Sequence, residues 1–218
     1  MTCETVSDAY ASRAEEYTRF LGTMDATSPV DRSTIRDWAS HQQGILLDVG
    51  CGPGHWTDWL ASLHDAGELP GVTAVAGVEP TAPFVAAARR RFPRLVFHEA
   101  SAEALPCNDG RVGGILSWYS LIHTHPDSIG DALDEFARVL RPGGGLCLGF
   151  FTGPEAVRFD HAITPAYFWP VEELAARVER AGFAVLSSRT RHDPDARPHA
   201  DLVARRRPSV AAHRAELD

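Results

Sequence analysis

Short, mostly apolar runs alternate along the chain with longer stretches whose apolar residues recur every three or four positions. The runs are 45–49, 72–78, 95–98, 112–119 and 146–151, most of them bounded by Gly or Pro. Such runs read as strands buried on both faces. The intervening stretches predict helices at 55–66, at 83–91 ended by Pro93, and at 126–140. Pro126 suits the first turn of the last of these, and PGGG at 142–145 breaks it. Further on, 171–181 predicts a helix stopped by Gly182, and 183–191 with 200–206 an antiparallel strand pair. Ahead of the first strand, Tyr10, Ala14, Tyr17 and Leu21 fall on one face of a single helix over 4–20. A second helix, capped by Asp31 or Ser33, is expected to run to about 43.

Strands alternating with helices of this length imply right-handed crossovers and a mostly parallel sheet. The organisation expected is an N-terminal helical cap (1–43), an α/β core (44–207) and a fraying tail (208–218). Ligands of such sheets bind beyond the carboxyl ends of the strands, which points to 48–55, 79–81, 100–103 and 117–125. Arg205, Arg206 and Arg207 close the last strand and read as charges protecting a sheet edge.

Composition narrows the class. The chain of 218 residues is 44% hydrophobic and 23% charged, as in one globular domain. No window reaches the roughly 18 apolar residues of a membrane span, and MTCETVSDAY lacks the pattern of a secretion signal. A net charge of −8 argues against a nucleic-acid surface. All 21 basic residues are arginine, which suggests a GC-rich bacterial source. Cys3, Cys51, Cys107 and Cys147 lack metal-site spacing and are read as reduced cytoplasmic thiols. His123 and His125 alternate without a third ligand nearby, so no metal is expected.

The first strand runs into LLDVGCGPGHWT (46–57), with Gly50, Gly52 and Gly54 at alternate positions. A strand that leaves through such glycines makes a tight turn and lets backbone approach a ligand closely. Glu79, at the end of the next strand, can hold the ribose hydroxyls of a nucleoside. The dinucleotide fingerprint G-x-G-x-x-G would need Gly at 55, where His55 stands. A nucleoside without a pyrophosphate fits better, and S-adenosyl-L-methionine is one.

Here the sequence resembles the class I S-adenosylmethionine-dependent methyltransferases, over roughly residues 40 to 207. LLDVGCGPGHWT is similar to their first motif, GVEPT (77–81) to the second, and ASAEALP (100–106) to the segment after the third strand. LSWYSLIHTHPD (116–127) resembles the fourth-strand region and LRPGG (140–144) the stop after the next helix. The resemblance implies a Rossmann-like, seven-stranded, mostly parallel sheet with an antiparallel last strand and helices on both faces. It assigns the cofactor to Asp48, Gly50, Cys51, Gly52, Gly54, Glu79, Pro80, Ser101, Ala102 and Glu103. Ser101 stands where the family commonly has Asp, Val112-Gly113 where it has Phe-Asp, and GELPGVTA looks like an insertion.

The sulfonium is a cation, and aromatic faces attract cations. Tyr10, Tyr17, Trp118 and Tyr119 are the candidates to surround it. Asp48 is expected to brace the glycine turn through backbone amides. Methyl transfer is in-line, so positioning and water exclusion should dominate. The candidate catalytic residues are His123, as base or orienting group, with Tyr10 and His161. His125 is expected to cap or flank the helix that follows. The loop 152–170 gathers Phe159, His161, Tyr167, Phe168 and Trp169 and reads as a lid over a planar or apolar small-molecule acceptor, suiting secondary metabolism. Two other readings stay open: a cofactor-binding protein with other chemistry or a regulatory role, and a peptide or protein methyltransferase. A nicotinamide-dependent dehydrogenase is disfavoured by the glycine spacing. A monomer or homodimer is expected.

Overall fold

The computed structural model describes residues 3–194 and 196–208, and the expected fraying tail beyond Pro208, with the Cys3 side chain, lies outside them. The strand runs fold as expected: β1 (Gly44–Val49), β2 (Val72–Glu79), β3 (Val96–Glu99), β4 (Val112–Trp118), β5 (Leu140–Phe151), then β8 (Phe183–Arg191) and β9 (His199–Arg206). Helices α4 (His55–Asp65), α5 (Ala82–Arg91), α6 (Ile129–Val139) and α7 (Val171–Arg180) connect them. The seven strands form one sheet in the order β3-β2-β1-β4-β5-β9-β8. Neighbours from β3 to β5 are parallel, and β9 runs antiparallel to both β5 and β8. The order reverses between β1 and β4, and that switch point opens a crevice above the two strand ends.

Both faces of the sheet are covered because successive strand residues point to opposite sides. Leu47 and Ile115 join Leu133, Phe136, Trp169, Val178 and Phe183 under α6 and α7. Leu46 and Leu116 join Ile35, Trp38, Leu60 and Leu69 under α4 and α3 (Pro29–Ser40). This explains the absence of polar alternation in the central strands: β4 is buried at every position except Trp118.

Several boundaries differ from the sequence expectation. The N-terminal helix is two, α1 (Cys3–Ala11) and α2 (Ala14–Leu21). Between them the Ser12 hydroxyl bonds the Ala9 carbonyl, and Arg13 N–H reaches only three residues back, to Tyr10. Such side-chain competition for backbone groups breaks helices. α3 is capped by Ser28, whose hydroxyl accepts from Val30 N–H, rather than by Asp31 or Ser33; Pro29 then fits the first turn. Pro126 opens a short 3₁₀ turn (Pro126–Ser128) before α6. PGGG does not lie ahead of β5 but inside it: Val112 pairs with Leu140 and Gly114 with Gly145, so the intervening residues bulge out.

The loop 152–170 is not irregular throughout. It carries a two-stranded hairpin, β6 (Arg158–Phe159) with β7 (Ala166–Tyr167). The arginines at 205–207 do not protect an edge, because β9 lies between β5 and β8. Arg206 instead donates to the carbonyls of Ala137 and Gly182 and ties the strand to the ends of α6 and α7.

Phe136 is fully buried on α6. Phe136→Ala should lower unfolding free energy by about 3–5 kcal/mol in a urea titration with little change in slope. A loss below about 1 kcal/mol would mean that α6 does not anchor the core.

Candidate active site

The turn after β1 uses its three glycines for three different reasons, and all three have positive φ. At Gly50 (φ 74) a Cβ would stand 2.1 Å from Ser120 Cβ, so only hydrogen lets the turn close on the loop after β4. At Gly54 (φ 85), the residue capping α4, a Cβ would press on the Phe97 ring and Ala88. Gly52 (φ 53) faces open space, and its amide donates to Glu79 Oε2 at 2.9 Å. Glu79 Oε1 accepts from Thr81 N–H at 2.8 Å. One buried carboxylate thus joins the ends of β1 and β2. Burial raises its pKa, against the lowering effect of the Thr81 hydroxyl and those two amides.

Asp48 is also buried, but it does not hold the glycine turn as expected. It accepts the Thr57 hydroxyl at 2.7 Å and so ties β1 to the first turn of α4. Burial drives its pKa up to about 7, with the Thr57 bonds lowering it and Glu79 raising it further.

Above the turn lies a cavity of about 490 Å³. Of the residues the sequence singled out, Tyr10, Tyr17, Gly50, Gly52, Glu79, Pro80, Ala102, Glu103, Trp118, Tyr119 and His123 line it. Asp48, Cys51, Gly54, Ser101 and His161 do not. Cys51 is buried behind the turn, Gly54 packs on Phe97, and His161 stands behind His123 with ring centroids 5.2 Å apart. Ser7, Phe84 and Asp131 lie outside the stretches the sequence pointed to; Thr81 and Ser120 fall inside 79–81 and 117–125 without having been singled out, and His125 was expected only to cap or flank the helix. His125 does cap the 3₁₀ turn through Nδ1, and it lines the cavity as well. Ser7 was findable, because it precedes Tyr10 by three positions on the same helix face.

α1 and α2 roof the cavity. The Tyr10 and Tyr17 rings meet edge to face at 5.8 Å, and both pack on Phe84 of α5. Tyr10 Oη lies 2.8 Å from His123 Nε2, and His123 Nδ1 lies 2.9 Å from the Pro165 carbonyl. A carbonyl only accepts, so Nδ1 carries the proton. Burial lowers the His123 pKa, which keeps the ring neutral, and Nε2 therefore accepts from the Tyr10 hydroxyl. His161 is likewise held neutral, with its pKa lowered to about 4 by burial and by the nearby His123 and Arg197. Arg13 Nη1 donates to the Ala162 carbonyl, so the roof and the 152–170 loop meet at two places.

On the opposite wall, Trp118 Nε1 donates to Asp31 Oδ2 at 3.3 Å. Tyr119 is the one non-glycine residue with positive φ among those described (φ 56). Its N–H donates to the Gly149 carbonyl, and its hydroxyl lies 2.7 Å from His199 Nδ1. Among the described residues no cluster of His, Cys, Asp or Glu could hold a metal ion. No described helix is long and apolar enough to cross a membrane.

The Asp48 carboxyl has a raised pKa in the fold, so the stability it contributes is full below pH 4 and is lost as pH rises through about 7. Asp48→Asn removes that loss. The melting temperature of the variant minus that of the parent should climb between pH 5 and pH 8, measured without ligand. A flat or falling difference contradicts the assignment.

Residues 46–144 match the methyltransferase-domain family. An O-methyltransferase of Aspergillus sclerotiorum, resE, is 30% identical over 172 residues, covering 75% of this chain and 64% of the relative, just under two thirds of its length. The fold is similar to that of the Burkholderia thailandensis 1,6-didemethyltoxoflavin-N1-methyltransferase, solved with 1,6-didemethyltoxoflavin and S-adenosylhomocysteine (TM-score 0.69, 20% identity, 95% of this chain and 92% of that one). It is also similar to that of the cyclase SpnF (TM-score 0.74, 20% identity, 96% and 98%). At that identity these two likenesses concern the fold alone. Residues 46–144, just under half of the chain, thus match the methyltransferase domain, and the fold is similar to that of solved S-adenosylmethionine-dependent methyltransferases.

Proposed function

We propose that the protein transfers a methyl group from S-adenosyl-L-methionine to a hydroxyl or amine of a small, planar or apolar acceptor. One observation carries this reading: the buried Glu79 carboxylate, fixed by the Gly52 and Thr81 amides, at the floor of an aromatic-walled cavity. The residues present fit the cofactor. Glu79 offers acceptor oxygens for sugar hydroxyls, and the backbone at Gly52 is open to close approach. Tyr10, Tyr17, Trp118 and Tyr119 present π faces and edges suited to a sulfonium. Bound there, the cofactor supplies an electrophilic methyl group.

The chain's own residues then do three things. α1 and α2 exclude water from above. Trp118 and Tyr119, backed by Gly149 and His199, wall the acceptor side. His123 keeps one proton on Nδ1 against the Pro165 carbonyl and leaves Nε2 basic, ready to take the proton of an acceptor that displaces Tyr10. In this reading α1 and α2 are the cap, while the 152–170 loop backs His123 through the Pro165 carbonyl and contributes no residue to the cavity lining. The resemblance to O-methyltransferase resE favours oxygen as the methylated atom.

Calorimetry with S-adenosylhomocysteine tests the cofactor site. Glu79→Gln should weaken binding by about 10- to 100-fold, the loss of charge-assisted bonds to two hydroxyls. Absence of binding to the parent protein would remove the reading. Incubation with methyl-labelled cofactor and cell extract tests transfer. His123→Gln should reduce label in the small-molecule fraction by about 100-fold or more while S-adenosylhomocysteine still binds. Binding without any transfer by the parent protein would favour a non-transferring role instead.

A further inference from the structure

The cavity carries side-chain charge of one sign. Glu79 lies at its floor, and Glu103 and Asp131 stand at exposed positions of its lining. Among the described residues no arginine lines it, in a chain whose 21 basic residues are all arginine. Arginines of the surrounding elements are committed elsewhere. Arg13 binds Glu16 and the Ala162 carbonyl, and Arg91 the carbonyls of Pro53 and Gly22. Arg177 binds Glu173 and the Pro126 carbonyl, and Arg191 binds Asp31 and Asp193.

Several neutral donors are paired within the protein as well. Tyr10 O–H is used by His123, and Tyr119 O–H is shared with His199. The Ser120 and Ser117 hydroxyls bond each other at 2.5 Å, and Ser7 donates to the Pro80 carbonyl. His125 has its Nδ1 occupied by Asp127 N–H, with the Asp127 carboxylate at 3.6 Å. A group that takes the place of the Tyr10 hydroxyl meets an acceptor atom, Nε2 of His123. An anion entering here would give up its water and find carboxylates but no arginine on the walls. A group bringing its own O–H or N–H finds the imidazole.

We infer that the acceptor is a planar molecule without negative charge, neutral or cationic, presenting a hydroxyl or amine, and that carboxylates and phosphate esters are rejected. The inference rests on the methyltransferase reading of this cavity. It makes the charge of the lining, rather than its shape, the first filter on substrates.

Protein saturated with S-adenosylhomocysteine is titrated calorimetrically with three phenols of matched size: 4-ethylphenol, tyramine and 4-hydroxyphenylacetate. The first two should bind and 4-hydroxyphenylacetate should bind at least tenfold more weakly. The gap should narrow in the Glu103→Gln, Asp131→Asn double variant, whose substitutions are at exposed positions. Equal or tighter binding of 4-hydroxyphenylacetate overturns the inference. So does failure of all three phenols to bind while S-adenosylhomocysteine binds normally; in both cases the cofactor site itself stands. If S-adenosylhomocysteine does not bind, the underlying reading falls and this inference with it.

Discussion

The arrangement depends on one carboxylate held by two amides. Glu79 accepts from Gly52 and from Thr81, and so locks the turn after β1 to the start of α5. The turn is strapped to β2 from the other side as well, because Gly50 and Cys51 N–H both donate to the Val78 carbonyl. A buried carboxylate with a raised pKa is costly when it has no partner. Here it is satisfied by backbone on two sides and faces the cavity on the third. The group that stabilises the loop is therefore the group that a ligand's hydroxyls would meet, and fold and site share one interaction.

The N-terminal helices and the 152–170 loop, read from the sequence as cap and lid, are not independent of each other. Arg13 joins them through the Ala162 carbonyl, and Tyr10 joins them through His123 and the Pro165 carbonyl. The imidazole tautomer is thus set by a residue of the loop, while the occupant of its free nitrogen comes from α1. An acceptor that reaches Nε2 must compete with a tyrosine already there, which raises the threshold for weakly bound molecules and favours ligands with a well-placed hydroxyl.

Much of this was legible beforehand, and the reasons are specific. The central strands announced themselves because both of their faces are covered, leaving short, mostly apolar runs such as residues 45–49, where Asp48 is the single polar residue. The glycine turn and Glu79 were legible because a required positive φ and a strand-end acid leave residue-type signatures. The partner of Asp48 was not, since a Thr nine positions away on α4 carries no mark of its role. The position of β9 inside the sheet was equally hidden: strand order is decided by long-range pairing, and the local charge of Arg205–207 suggested an edge that is not there. His161 shows the limit for loops. Its aromatic neighbourhood was visible, but the β6–β7 hairpin sets it behind His123 rather than in the cavity.

Tyr119 sets a trap for anyone who would engineer this scaffold. Its left-handed backbone would be easier for Gly or Asn, by about 1 kcal/mol or more. The ring is kept nonetheless, packed edge to face with Trp118 and His199 and tilted against Phe151 where it walls the pocket. Optimisation guided by backbone preference alone would choose to relax that residue, and in doing so would trade away an aromatic wall for thermal robustness.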